Sequence, residues 1–257
     1  MKSSLRFLLP LVLLAASARA DVDQTIALAR SYLGSEAALD AVTSVSYKGT
    51  LVSSSVNADG EAQSTTATIE ILFAEPFYQR IRITSPERVE TTALDDYEAW
   101  QRISNPADAE QWRMTLLDTV QIRRLRANTW ENLSFFKGID RIGGEVEDLG
   151  MVDVDGKQLR KLSFDHGYGI VFFRFFDPVT GRLVQSETDT GARIIESGEN
   201  FIKGVRFPDQ VVTVSTRADG SEQRVQVDFE AIEVNLPVDR KGFRVPTITR
   251  KSPFDRS

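Results

Sequence analysis

The sequence predicts a mainly β, α+β protein in which one long antiparallel sheet curves around two helical segments that cover its apolar face. Apolar and polar residues alternate through most of the chain from Ser44 onward, turn signals separate those runs at short intervals, and only two internal segments carry helical spacing. The order helix, strands, helix, strands describes a sheet wrapped around helical plugs rather than a two-sheet sandwich.

The first residues follow a different pattern. Lys2 and Arg6 precede an apolar run from Phe7 to Ala16, and the small residues Ala18 and Ala20 stand just before Asp21. This is the pattern of a cleavable signal peptide over residues 1–20, and the apolar run falls short of the ~20 residues a membrane span needs. The expected mature chain is a single domain, 21–257, soluble in the periplasm. The chain contains no cysteine, so neither a lipid anchor at the cleavage site nor a disulfide is expected, and stability must come from a sizeable core. Loss of Lys2, Arg6 and Arg19 takes the formal charge from −6 to −9, a balance that argues against a nucleic-acid partner.

After the leader, Val22, Ile26, Ala29, Arg30 and Leu33 fall at helical spacing. Gly34 interrupts, and Ser35 can cap a second short turn through Glu36, Leu39 and Val42. The period changes to two at Ser44. Val45, Tyr47 and Gly49 lead into Leu51 and Val52, and residues 57–60 supply a turn ending on Gly60. The return run, 67–74, sets Ile69, Ile71 and Phe73 on one face. A third run, 78–84, opposes Ile81 and Ile83 to Arg80 and Arg82, bracketed by Pro76 and Pro86. Runs over 87–94 and 97–103 flank the Asp95-Asp96 turn, and Asn105-Pro106 stops the second.

Asp118 can cap a helix over 118–136, in which Ile122, Leu125, Thr129, Leu133 and Phe136 recur at helical spacing. Gly138, Gly143 and Gly144 end that segment, and strands resume to the C-terminus. Turn signals sit at Asp155-Gly156, at 177–181 and at 218–220. The last long strand carries Val225, Val227 and Phe229, then shifts register through Ile232, Val234 and Leu236, which predicts a bulge near Ala231.

Signals for chemistry are sparse. His166 is the single histidine, and its neighbours Asp165, Gly167 and Gly169 read as a turn rather than a catalytic or metal centre. Asp153, Asp155 and Gly156 place oxygens close together as a calcium loop does, but a hairpin turn explains them equally well. No catalytic residue, metal ligand or cofactor site is expected. Residues 170–176 are more suggestive, because they are apolar on both strand faces with Arg174 the one exception. A half-exposed antiparallel strand is apolar on one face only, so the second face needs a helix, partner or ligand over it. Core packing is the plain reading, and the helix around Leu125, with Trp112 and Trp130, offers both a cover and a lid.

Residues 29–34, Ala29-Arg30-Ser31-Tyr32-Leu33-Gly34, and residues 41–50 are similar to the opening helix and first strand of the LolA/LolB-like periplasmic lipoprotein carriers, a family the chain resembles. The most specific block runs from Ala74-Glu75-Pro76 through Pro86 to Asp95-Asp96, Trp100 and Asn105-Pro106; the ending resembles the family at 233–237, Asp239, Phe243 and Pro246. Carriers commonly have an arginine before the first proline that holds the helical lid, where this chain has Glu75. The resemblance implies an incomplete antiparallel β-barrel, a half-barrel closed by helices over a hydrophobic cavity. Its expected occupant is a lipid or the acyl chains of a lipoprotein, and its expected partner an inner- or outer-membrane protein complex. The residues expected to line it are Ile69, Ile71, Phe73, Ile81, Ile83, Trp100, Ile122, Leu125, Leu133 and Phe136. The expected function is non-enzymatic carriage of that ligand; the alternative is an envelope sensor or adaptor that binds a protein partner with the same half-barrel.

Overall fold

The computed structural model describes residues 9–56, 62–217 and 219–247. Helix α1 (Leu9–Leu33) ends at Gly34, and α2 (Glu36–Asp40) starts behind Ser35, whose hydroxyl accepts from the Ala38 amide at 3.2 Å. The break at Gly34 has a packing cause: a Cβ there would lie 2.5 Å from the Gly204 carbonyl oxygen. Six strands follow as a meander: β1 (Ser44–Val56), β2 (Ala62–Ala74), β3 (Tyr78–Thr84), β4 (Val89–Asp95), β5 (Glu98–Asn105) and β6 (Asp108–Leu116). Helix α3 (Thr119–Leu133) interrupts the meander. It resumes with β7 (Glu145–Val154), β8 (Lys157–Asp165), β9 (Val171–Phe176), β10 (Leu183–Thr188) and β11 (Arg193–Ser197). The short hairpin β12 (Asn200–Ile202) and β13 (Val205–Phe207) precedes β14 (Gln210–Thr216) and β15 (Glu222–Val234).

Among the described residues, thirteen strands form one sheet in the order β6-β5-β4-β3-β2-β1-β15-β14-β11-β10-β9-β8-β7. Every pairing in it is antiparallel. The two halves of the chain meet where β1 pairs with β15, while β6 and β7 end the sheet and do not pair with each other. The sheet is therefore not closed.

Several local expectations hold. Lys48 pairs with Ala231 and Gly49 with Phe229, so Glu230 is the extra residue of a bulge beside Ala231. Gly49 is required there, because a Cβ would run into the Asp228 carbonyl. Asp118 caps α3 with a full capping box, its carboxylate accepting from Gln121 N and the Gln121 side chain accepting from Asp118 N. The turn at Asp155-Gly156 is a tight hairpin, and the Asp153 carboxylate serves it by accepting from Gly156 N and Gln158 Nε2. The turn expected at 57–60 lies outside the described residues, as does Ala218 of the turn at 218–220.

Strand β5 stops at Asn105 as expected, and the chain then returns as β6, which no alternation marks, pairing Trp100 with Leu116 and Ser104 with Trp112. One expectation needs correction: the helix does not reach Phe136. It ends at Leu133, with the Ser134 amide bonded to the Trp130 carbonyl, and Phe135 and Phe136 take positive φ of 47° and 70°. That left-handed pair sends the two rings to different places. Phe135 joins a cluster with Tyr47, Phe73, Leu133 and Phe207, whereas Phe136 joins one with Trp130, Leu162, Phe164 and Phe176. Burying two aromatic side chains offsets the ~1–3 kcal/mol that such a backbone position costs.

Candidate functional site

Register decides which side chains face inward. Tyr47, Ile71 and Ile81 align across β1, β2 and β3, and Val45, Phe73, Gln79 and Leu94 align across β1 to β4 on the same face. Helix α3 lies on that side: Leu133 packs in one cluster with Tyr47 and Phe73, and Asn128 and Thr129 each donate to Gln79 Oε1 at 3.2 Å. A cavity of about 320 Å³ lies between α3 and the inward face, lined from both halves of the sheet. Strands β1 to β3 contribute Tyr47, Ile71, Phe73 and Ile81. Strands β9 to β15 contribute Phe172, Arg174, Leu183, Ile194, Glu196, Thr213 and Phe229 among others. Glu131, Phe135 and Phe136 close it from α3 and the turn behind it. Its volume falls within the ~300–1,000 Å³ of small-molecule sites.

Of the ten residues expected in the lining, Ile71, Phe73, Ile81 and Phe136 are there. Leu133 is buried in the cluster beside the cavity, not on its wall. Ile69 and Ile83 pair on the inward face but lie beyond the lining. Ile122 faces a separate groove of about 390 Å³ with Phe77, Tyr97, Arg126 and His166. Leu125 is half-buried and lines neither space. Trp100 is on the wrong face altogether. It aligns with Ala93 and Arg80, which alternate with the inward set, and its indole donates to the Phe243 carbonyl at 2.8 Å. The C-terminal segment that follows β15 thus covers an apolar patch on the outer face, with Phe243 against Ala74 and Tyr78. That second apolar patch is why alternation alone misplaces Trp100.

The charged residues of the cavity were missed. Glu131 and Arg174 are both buried, and Arg174 Nη2 donates to the Glu131 carboxylate. Glu131 also accepts from His166 Nε2 at 2.7 Å, and Arg174 Nη1 donates to Ser186 Oγ at 2.9 Å. His166 follows β8 in the expected turn, but its ring is buried edge-on to Trp130 and Phe172 at 5.3 and 5.6 Å. Glu196 on β11 keeps part of its surface, yet burial pushes its carboxyl above the ordinary 4.5, opposed by the Arg174 charge. Both hold because that surface faces the cavity rather than bulk water. Burial, and then the Glu196 charge, raise the Tyr47 hydroxyl as well. The signal for Arg174 was present in the sequence as the one charge in an apolar run; nothing comparable marks Glu196.

Helix α3 is fastened along its length. Arg124 forms two bonds to the Asp189 carboxylate at 2.9 and 2.6 Å, and Arg126 pairs with Asp96 between the rings of Phe77 and Tyr97. At its far end, buried Arg30 donates to the carbonyls of Ser134 and Phe135 while pairing with Glu36 and Asp40. Glu75 is exposed and makes none of these bonds.

No family model matches the sequence, and no curated protein does. Solved structures do match the fold. A LolA superfamily protein from Nitrosomonas europaea has a TM-score of 0.53 at 14% identity, over 84% of this chain and 97% of its own. This chain has a LolA-like fold. A DUF1329 family protein from Desulfovibrio piger is as similar, with a TM-score of 0.53 at 13% identity over 87% of this chain and 97% of its own. Among the described residues, no helix of this LolA-like chain is long and apolar enough to cross a membrane, and no group of three His, Cys, Asp or Glu could hold a metal ion.

Proposed function

We propose that the chain is an exported, periplasmic binding protein that carries a lipid, or the acyl chains of a lipoprotein, inside the half-barrel, with α3 as the cover of the inward face. The observation that carries this reading is the cavity itself, walled by Ile71, Phe73, Phe172, Ile194 and Phe229 from both halves of one sheet. Moving hydrocarbon from water into such a space contributes ~0.8 kcal/mol per CH₂, so carriage requires no chemistry. The LolA-like fold and the leader pattern of residues 1–20 support the same reading.

The test has two parts. Native mass spectrometry of protein purified from periplasm should show co-purified lipid, and the purified protein should take up a fluorescent single-chain probe with an uncharged head. Thr213→Trp, which fills the cavity from β14, should lower that uptake without loss of fold. Protein that carries no lipid and takes up no probe would overturn the proposal.

A further inference from the structure

We infer that the cavity selects an amphiphile whose head is an amine, received by the carboxylate of Glu196; this rests on the carriage reading above and names the ligand class for it. The argument is one of unmatched charge. Of the charged groups lining the cavity, Arg174 has its two terminal nitrogens engaged by Glu131 and Ser186. Glu131 is engaged by Arg174 and His166. Arg206 pairs with Glu199 through Nη1, donates from Nε to the Tyr32 carbonyl at 3.1 Å, and lies over the rings of Tyr32 and Phe201, each at 4.4 Å, which leaves Nη2 without a bond to a described residue. Glu196 alone makes no hydrogen bond or ion pair with a described residue.

Its position fits a head-group site. Glu196 lines both the main cavity and a smaller one of about 130 Å³ that shares Leu33, Leu183, Arg206 and Phe207 with it. A chain lying against Ile71, Phe73 and Phe229 therefore brings its head to the junction where Glu196 stands. A carboxylate head there meets the Glu196 and Glu131 carboxylates, set against Arg206 Nη2 and the solvent-exposed Arg182 of the smaller cavity. An ammonium head meets a carboxylate that has no partner, in surroundings where a charge pair is stronger than in water. Burial disfavours the Glu196 anion in the empty cavity, and a bound cation relieves that cost.

Dodecylamine, dodecanol and dodecanoate share one chain and differ only in the head. Each is titrated against the uncharged fluorescent probe on the full mature protein, below its micelle concentration. The amine should displace the probe at about tenfold lower concentration than the carboxylate, with the alcohol between them. Glu196→Gln should erase the preference and keep dodecanol binding, which separates the site from the attraction of any cation to an acidic protein. Glu196→Ala serves if the Gln variant does not fold. A carboxylate that competes as well as the amine, or a preference that survives both substitutions, would overturn the inference while leaving carriage intact. No uptake of the probe at all would overturn carriage, and this inference with it.

Discussion

Arg174 on β9 and Glu131 on α3, forty-three positions apart in the chain, form a buried ion pair that joins the sheet to the helix across the end of the cavity. Such a pair contributes less by its net stability than by the penalty for separating it. The Arg174 Nε has no acceptor, so the guanidinium depends on Glu131 and Ser186 for its bonding.

Glu131→Ala should therefore lower unfolding stability by about 3–5 kcal/mol, because it strands a buried guanidinium and removes the partner of His166. Replacing the pair together, Glu131→Leu with Arg174→Met, should recover much of that loss. Urea melts of the three proteins decide it, and a single variant as stable as wild type would remove the pair from the account.

Leu133 and Leu125 separate the packed part of α3 from its looser part. Leu133 is 7% exposed within the cluster of Tyr47 and Phe73, whereas Leu125 is half-buried outside it. Leu133→Asp should cost several kcal/mol by burying an unpaired carboxylate. Leu125→Asp, whose carboxylate can turn to water, should cost about 1 kcal/mol. Equal melting temperatures for the two variants would contradict this division of the helix.

Trp100→Phe tests the outer face. The loss of its bond to the Phe243 carbonyl should cost about 0.5–1.5 kcal/mol and loosen the C-terminal segment, seen as faster amide exchange near Phe243. Probe uptake should not change, since the cavity lies on the other side of the sheet. Reduced uptake in a stably folded variant would mean that Trp100 reaches the cavity.

Acid should loosen the joint between α2 and the end of α3. Hydrogen bonds from Arg30, then from Lys137, hold the Glu36 carboxyl at about 2 against an ordinary 4.5. A depressed acid contributes stability above its ordinary value and loses it as pH falls from about 4.5 towards 2. Glu36→Gln should flatten that limb of the melting curve against pH. Glu196 acts in the opposite sense: its carboxyl is raised, so the folded state loses stability as pH rises above 4.5, and Glu196→Gln should flatten that decline instead.

Strands, turns and caps were legible because each depends on residues close in sequence. Alternation gave the inward row Ile69, Ile71 and Phe73, Asp118 marked the helix start, and the shift from Phe229 to Ile232 marked the bulge. Strand β6 was not legible. It is an edge strand exposed on both faces, with Trp112 38% and Leu116 64% exposed, and it is held by backbone pairing with β5. Apart from the partly buried Asp108 and Met114, its described side chains are exposed, so alternation carries little there.

The sequence by itself determined a meander of half-buried strands, interrupted by a capped helix, that must curve around its own apolar face. A period of two says that a strand has two faces without saying which one turns inward. Only the tertiary structure decided that Trp100 faces outward, because the C-terminal segment supplies a second apolar cover there. The pairing of β1 with β15 closes the two halves of the chain around one space, bringing Tyr47 and Glu196 to the same cavity. Charge placement was settled at that level too: a lone arginine in an apolar run signals a buried partner, but its distance from Glu131 along the chain leaves that partner to be chosen by the packing of α3.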